Sequence, residues 1–434
     1  MHLSPHIVRL TVIASIACAC ATGSAQAADP PTYAPGEVVV GYEQAGAAQS
    51  GGAPGPRTAV IHVAPGRVRA TVAQLRKQPG IAFAAPNPIA HASEQVPLPD
   101  DPGVRSVPGG LTALQWNFFG DFGVNALAAW SNVAGHAPGA RGVRVAVLDT
   151  GVAYRDVGRF RRSPDFAGTT FAAPYDFVAN TPYPVDRNGH GTHVAGTIAE
   201  ATNNRLAVSG LAWGATLIPV RVLDAQGYGD AATIAKGIRY AVRHGAQVIN
   251  MSLEFSTSVR AAEIPDITAA LRYANRHGVV VVGSSGNEGE ARVAYPARTG
   301  LVLSVGATTE HGCLADFSND GVGLDLVAPG GGDDADLPQD PNCEAGRRGH
   351  DIFQMTYTNS VLRFGLPSGY DGTSMAAPHV AAAAALVIAS GVVGAAPTPA
   401  QVACRLKATA RPLGLPAPNR IYGFGLVDAG AATA

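Results

Sequence analysis

The chain has 434 residues, of which 47% are hydrophobic and 15% are charged, and its formal net charge is −1. This is a globular composition, and the length allows two or three domains or one large domain with additions. There is no basic or acidic block, so nothing favours nucleic acid or an anionic membrane surface as a partner. We expect no nucleic-acid binding and no stable membrane association.

The first segment, residues 1–27, has the pattern of a signal peptide. Arg9 supplies a positive charge, an apolar run follows from Leu10 to Ala21, and the small residues Ala25 to Ala27 form a cleavage site. The alternative is a membrane anchor, but the run is too short to span a bilayer. We therefore expect a secreted protein, either extracellular or periplasmic.

Three cysteines lie beyond the signal segment: Cys313, Cys343 and Cys404. An exported chain can form disulfides, and an odd number of cysteines limits the possible pairings. We expect a bond between Cys313 and Cys343. The alternative is that the three thiols act as small hydrophobic residues.

Residues 28–98 are predicted to form a small α+β unit and a linker. The runs GEVVVGY, RTAVIHV and IAFAAPNPIAH are typical of strands, and TVAQLRKQPG is typical of a helix capped by Thr71 and stopped by Gly80. The stretch ASEQVPLPDDPGVRSVPGG is rich in proline and has no periodicity, so it is predicted to be a linker.

The remaining segment, residues 99–434, is predicted to be an α/β domain. From Trp116 onward, apolar β-branched runs such as GVRVAVLDTG, QVINMSL and GVVVVGSSG alternate with helical patterns such as DAATIAKGIRYAVRHGA. Continuous apolar strands between helices indicate a mostly parallel sheet covered on both faces. Such sheets bind ligands at the carboxyl ends of their strands.

Four polar residues in glycine-rich surroundings stand out in this domain. Asp149 follows a buried strand, His190 lies between two glycines, Asn287 follows the most apolar strand, and Ser374 stands at the start of an alanine-rich helix. Each has an ordinary alternative: a turn or cap for Asp149, a loop histidine for His190, and a turn former for Asn287. We interpret the nearby His193 as a core histidine, and a zinc site lacks a third ligand at a useful spacing.

The order Asp149, His190, Asn287, Ser374 from Trp116 to the end of the chain resembles the subtilisin-like serine proteases, the subtilases. The resemblance implies a serine endopeptidase in which Ser374 is the nucleophile, His190 the general base and Asp149 its orienting acid. Asn287 would donate to the oxyanion. The preceding α+β unit resembles the family's inhibitor-type propeptide, so the partners implied are protein or peptide substrates and the chain's own propeptide. We expect a monomer.

The resemblance also implies two segments that flank an extended substrate, which would pair with it as added strands. The residues of these segments are Gly227, Tyr228, Gly229, Ser252, Leu253 and Glu254. Glu254 stands where the family usually has glycine. An acid there could narrow the cleft or favour a basic side chain, helped by Glu288, or both acids could face solvent.

A structural calcium site is a further implication, since TNNRLAV resembles the family's calcium loop. The ligands carried over are Asn204 by its side chain, Thr202, Leu206 and Val208 by their carbonyls, and Asp165 and Asp101 by their carboxylates. Oxygen ligands suit a hard cation. Ala207 replaces a usual glycine, and the alternative is a solvated asparagine turn.

The chain between Pro329 and Gly372 is longer than the family core needs. Its acids are predicted to lie in a solvated surface loop rather than to bind another cation.

Two other classes of protein were compared with these features. A catalytically inactive protease-fold binding protein would be expected to lack a catalytic residue, and all four are present. A nucleotide-binding α/β protein would need a glycine-rich fingerprint after its first strand, and DTGVAYRD is not one.

Overall fold

The computed structural model describes residues 33–42, 57–88, 97–104, 107–414 and 416–434. The predicted signal peptide lies outside these residues. The described residues fall into two compact units, one within Thr22–Gln95 and the other within Val96–Ala434.

The first unit is a three-stranded antiparallel sheet with one helix on it, in the strand order β2-β1-β3. Its elements are β1 (Tyr33–Tyr42), β2 (Arg57–His62), α1 (Val68–Leu75) and β3 (Ile81–Pro88). Alternate residues Val38 and Val40 point from β1 into a core that Val68 and Val72 of the helix complete.

The predicted start of this helix at Thr71 is wrong. The helix begins at Val68 and ends at Leu75, and Gly80, with φ +83°, lies in the turn before β3. Val68 and Val72 are one turn apart and share the same buried face, so the helix extends back to include both.

The second unit has alternating strands and helices. Its elements in chain order are α2 (Trp116–Phe119), α3 (Ala126–Val133), β4 (Arg144–Asp149), β5 (Thr170–Phe171), β6 (Tyr175–Asp176), α4 (His190–Ala199), β7 (Thr216–Arg221), α5 (Ala231–Arg243), β8 (Val248–Met251), α6 (Pro265–Arg276), β9 (Val280–Ser284), β10 (Leu303–Thr308), β11 (Leu326–Pro329), β12 (Thr356–Thr358), β13 (Ser360–Gly365), α7 (Thr373–Ser390), α8 (Pro399–Ala408) and α9 (Ala429–Thr433).

The main sheet of this unit has the strand order β11-β10-β9-β8-β4-β7-β5, with β6 also pairing with β7. All of these pairings are parallel. Successive residues of β4 alternate between two hydrophobic cores: Val145 and Val147 face one, and Ala146 and Leu148 face the other. The predicted parallel α/β sheet covered on both faces is therefore confirmed.

The helices divide between these two cores. Helices α4 and α7 contribute to the first, and α5 and α6 to the second. Among the described residues, α7 is the one helix long and apolar enough to cross a membrane, and it is mostly buried inside the protein. Its apolar character comes from Ala381 to Ala385, which are fully buried. Small side chains let this helix approach the sheet closely.

The chain between β11 and α7 is exposed in part, as predicted, but two of its acidic residues are not solvated. Asp334 and Asp340 are buried. Thr309 donates to Asp334 at 2.6 Å, and the hydroxyl of Tyr422 donates to Asp340 at 2.6 Å. The predicted disulfide between Cys313 and Cys343 is present and fastens this segment to the turn after β10. Burial is possible because each acid receives hydrogen bonds from the domain.

Candidate active site

The predicted acid and base meet at the carboxyl end of the sheet. Asp149 is the last residue of β4, His190 is the first residue of α4, and Nδ1 of His190 lies 2.8 Å from Oδ1 of Asp149. The Asp149 side chain is fully buried, whereas that of His190 is 27% exposed. This geometry directs Nε2 of the imidazole away from the carboxylate.

Burial lowers the pKa of His190, but the charge and hydrogen bond of Asp149 raise it, with smaller contributions from Asp186 and Glu254. The net pKa lies above its usual 6.5. The buried Asp149 carboxylate thus stabilises the protonated form of the His190 imidazole. A general base needs this stabilisation, because it must accept a proton during the reaction.

Asp186, which the sequence interpretation missed, organises the histidine loop. Its carboxylate accepts hydrogen bonds from the backbone N–H groups of Asn188 and Gly189 at 2.9 and 3.0 Å, and from the hydroxyls of Thr150 and Thr192 at 2.9 and 2.6 Å. It therefore ties the end of β4 to the start of α4. The only sequence signal was an acid shortly before an Asn-Gly turn.

The hairpin β12–β13 supports the same loop from another side. The hydroxyl of Thr356 donates to the carbonyl of Gly189 at 2.6 Å, and that of Tyr357 donates to the carbonyl of Asp186 at 3.2 Å. The segment between β11 and α7 thus has a positioning contact with the histidine loop, which no local sequence pattern indicates.

Ser374 lies in the first turn of α7, next to the segment that follows β8. The hydroxyl of Ser252 donates to the Ser374 carbonyl at 2.7 Å, and the hydroxyl of Ser374 donates to the Ser252 carbonyl at 3.4 Å. Among the described residues Ser374 makes no hydrogen bond to His190. The first N–H groups of a helix have no partner within the helix, so the Ser374 N–H can serve a ligand.

Asn287 is fixed beside this helix end. Its Oδ1 accepts hydrogen bonds from the N–H and the hydroxyl of Thr373, at 2.8 and 3.0 Å. Its Nδ2 is thereby turned away from Thr373 and donates to Oε1 of Glu254 at 3.1 Å. The amide is thus an oriented donor at the rim of the site, engaged by a carboxylate.

The two predicted substrate segments differ in burial. Ser252 and Leu253 are buried, whereas Glu254 is half-buried. Gly227 to Gly229 form an exposed turn, in which Tyr228 is 77% exposed. This turn follows Ala225, whose carbonyl accepts a hydrogen bond from the Asn188 side chain at 3.0 Å. Substrate binding by either segment stays a prediction.

His193 is a core histidine, as the sequence interpretation preferred. It is fully buried, its Nε2 lies 2.8 Å from the carbonyl oxygen of Ile352, and its ring stacks on Tyr370 at 4.2 Å. Burial lowers its pKa to about 3. No three His, Cys, Asp or Glu side chains in the described ranges are grouped so that they could hold a metal ion by themselves.

The predicted calcium loop wraps around two buried carboxylates. Asp101 accepts hydrogen bonds from the N–H groups of Asn203 and Asn204 and from the Thr202 hydroxyl, at 3.0 to 3.1 Å. Asp165 accepts from the Asn204 amide at 2.7 Å and from the Val208 N–H at 3.3 Å. In the described part of the chain, neither carboxylate forms an ion pair with Lys, Arg or His.

The electrostatics of this loop suit an added cation. Burial raises the pKa of Asp165 to about 7, and the neighbouring charge of Asp101 adds to the rise. Glu200, a third buried acid that the sequence interpretation missed, has its pKa raised by burial and by Asp165. A cation would stabilise the charged form of these acids, which have no ion-pair partner among the described residues, and oxygen atoms are the ligands that a hard cation prefers.

The loop accommodates Ala207 at the position where the family usually has glycine. Ala207 has φ +39°, in the left-handed region that favours glycine. The orientation of Asn204 is less simple, because its Nδ2 faces Asp165 and its Oδ1 accepts from the Leu206 N–H at 2.8 Å. To offer its oxygen to a cation beside Asp165, this amide must turn over.

Comparison with known proteins supplies the family. Residues 140–425 match the subtilase family, and residues 21–87 match the fervidolysin N-terminal prodomain. Subtilisin Savinase from Lederbergia lenta is 39% identical over 294 residues, which are 67% of this chain and 91% of that protein. An alkaline protease from Alkalihalobacillus alcalophilus is also 39% identical over 294 residues, and the match covers 67% of this chain and 64% of that protein.

Among solved structures, a protease from Pseudoalteromonas arctica PAMC 21717 superposes with a TM-score of 0.61 at 29% identity, covering 78% of this chain and 99% of that one. These matches, together with the parallel α/β fold, identify the class of the protein as a serine protease. The chain belongs to the subtilase family, and it is a subtilisin-type serine endopeptidase with an N-terminal prodomain.

Proposed function

We propose that this protein is a secreted serine endopeptidase that hydrolyses peptide bonds through Asp149, His190 and Ser374 and matures by cutting off its own propeptide. The observation that carries the proposal is the 2.8 Å contact between the buried Asp149 carboxylate and His190. Ser374 hydrogen-bonds to Ser252, which follows β8, the strand beside β4. Export rests on the predicted signal peptide.

In the proposed reaction, the Ser374 oxygen attacks the substrate carbonyl while His190 takes the hydroxyl proton. The carbon–nitrogen bond then breaks, His190 gives the proton to the leaving amine, and an acyl-enzyme remains for water to hydrolyse by the same route. Asp149 holds the imidazole and stabilises its protonated form. The Asn287 amide and the Ser374 N–H donate to the oxyanion, where fixed donors act most strongly.

Substrate is proposed to bind as an extended strand. The exposed turn Gly227–Gly229 would line one side and Ser252–Glu254 the other, so main-chain hydrogen bonds hold any peptide and side-chain pockets set preference. Protein and peptide substrates suit this mode of binding, because an extended chain offers donors and acceptors along its whole length.

A calcium ion is proposed to be held at the loop after α4. Asp101 and Asp165 would supply carboxylates, Asn204 its amide oxygen, and Thr202, Leu206 and Val208 their carbonyls. Bound there, calcium would supply positive charge to a buried acidic cluster. This role is structural, since it would relieve the repulsion between Asp101 and Asp165.

The prodomain is proposed to assist folding and to inhibit the enzyme until it is cut. A parallel-sheet domain folds slowly because its strand pairings are non-local, so a prefolded partner can lower the barrier. The cut is proposed between about Ala92 and Asp101, in the proline-rich stretch.

The test is the intact mass of two proteins expressed without other proteases. After signal removal, Ser374→Ala should keep the whole segment, whereas wild type should be shorter by roughly 65 to 75 residues. As a control, adding mature wild-type enzyme should cut the Ser374→Ala precursor at the same place. Processing of Ser374→Ala without added enzyme would mean that another protease matures the chain.

A further inference from the structure

Glu254 is an acid placed directly against the proposed oxyanion donor. It lies three residues after β8, and its carboxylate accepts hydrogen bonds from Nδ2 of Asn287 at 3.1 Å and from the Ser284 hydroxyl at 3.2 Å. Asn287 and Ser284 are neutral, so these bonds fix the carboxylate in place without neutralising it.

In the part of the chain that the structure describes, Glu254 has no lysine or arginine partner in an ion pair. Glu288 adds a second negative charge nearby, and the protonated imidazole of His190 attracts the Glu254 carboxylate. Burial first, and then Glu288, raise the pKa of Glu254. A partly desolvated carboxylate in this position is stabilised by any cation that approaches it.

The location of Glu254 relative to the substrate follows from Asn287. If the Asn287 amide donates to the oxyanion, the carbonyl that becomes this oxyanion belongs to the residue preceding the scissile bond. The side chain of that residue is attached to the Cα atom, which is bonded directly to this carbonyl carbon. A carboxylate 3.1 Å from the Asn287 nitrogen is therefore within reach of that side chain if the side chain is long.

We infer that Glu254 is a specificity-determining residue that selects lysine or arginine at the residue preceding the scissile bond. The substrate cation takes the Glu254 carboxylate as its partner. The Asn287 amide, held by Thr373, has two N–H groups, so it can donate one to Glu254 and the other to the oxyanion. A neutral side chain gains no ion pair with Glu254. This inference rests on the proposed function.

The experiment compares four peptide amides that differ only in that residue, which is arginine, lysine, leucine or glutamate. Wild type should cleave the arginine and lysine peptides with kcat/KM at least about tenfold above the leucine peptide, and the glutamate peptide most slowly. In Glu254→Gln, the ratio of arginine to leucine kcat/KM should fall by about tenfold or more. Glu290→Gln, a change at an exposed acid that does not contact Glu254, should keep the wild-type ratio.

Labelling with a fluorophosphonate on the same preparations separates the possible failures. Equal labelling of wild type and Glu254→Gln shows that both are folded and active. A labelled wild type that prefers leucine, or a Glu254→Gln variant with an unchanged ratio, would overturn the inference while leaving the proposed function standing. A wild type that neither labels nor cleaves any peptide would overturn both.

Discussion

Replacing Asp165 by asparagine tests the acidic cluster, because it removes a buried charge while keeping the side-chain shape. The native pKa of Asp165 is about 7, against 3.8 for an ordinary aspartate, and burial is the main cause. The unfolded chain therefore loses this proton at lower pH than the folded chain does. The contribution of Asp165 to stability is therefore greatest below pH 3.8, falls as pH rises toward 7, and is then lower by on the order of 4 kcal/mol, at 1.36 kcal/mol for each pH unit.

Asp165→Asn should recover part of this deficit when calcium is absent. The carboxylate accepts hydrogen bonds from Asn204 and Val208, and the new amide can accept only at its oxygen, which costs about 1–3 kcal/mol. We expect the variant to be more stable than its parent by about 1–3 kcal/mol at pH 8 in chelator. In millimolar calcium the order should reverse, because the parent gains binding energy that the variant lacks.

The assay is urea unfolding in the Ser374→Ala background, which prevents self-digestion, with Asp336→Asn as a control at an exposed acid. Asp336→Asn should leave stability within about 0.5 kcal/mol of the parent in both buffers. If Asp165→Asn is less stable than the parent in chelator at pH 8, the carboxylate is not a source of strain and this reasoning is wrong.

Three further predictions concern catalysis and the disulfide. The value of kcat/KM should rise with pH through an apparent pKa above 6.5, since His190 must be unprotonated to act as base and Asp149 raises the pKa of His190. A flat profile of kcat/KM from pH 5 to pH 9 would contradict the assignment of His190 as the base. Asn287→Ala should lower kcat by about 10²–10³, the effect that loss of an oxyanion donor has in subtilisin itself, and an unchanged steady-state kcat would show that the amide does not serve the oxyanion. Replacing Cys313 and Cys343 together by alanine should cost about 3–4 kcal/mol in urea unfolding, since the bond closes a loop of 30 residues; a loss below about 1 kcal/mol would mean that the buried contacts alone hold this segment.

The sheet and its helices were predictable because their signals are local. The run ending at Asp149 is continuously apolar, and the helix α5 begins after its capping residue Asp230 and shows buried Ile234 and Ile238 one turn apart. Such periodicity depends only on neighbours in sequence, so it can be found without knowing what lies across the fold. The parallel arrangement then follows from the alternation of strands and helices.

The residues that were missed owe their roles to distant partners. Glu200 is buried because its carboxylate accepts from the N–H of Met355, and Asp340 is buried because Tyr422 donates to it. These pairs are separated by 155 and 82 residues in the chain. A local pattern shows an acid in each case and predicts solvent exposure, whereas the contact that overrides this prediction appears only in the fold.

The proposed nucleophile can be tested directly by labelling mature wild-type enzyme with a fluorophosphonate and mapping the modified peptide by mass spectrometry. Ser131→Ala, a change at an exposed serine, serves as the control and should label like wild type. The proposed mechanism predicts one label, on Ser374, which is absent in Ser374→Ala and strongly slowed in His190→Ala. A label on another serine, or none on a wild-type protein that is folded and free of its prodomain, would contradict the assignment of Ser374 as the activated nucleophile.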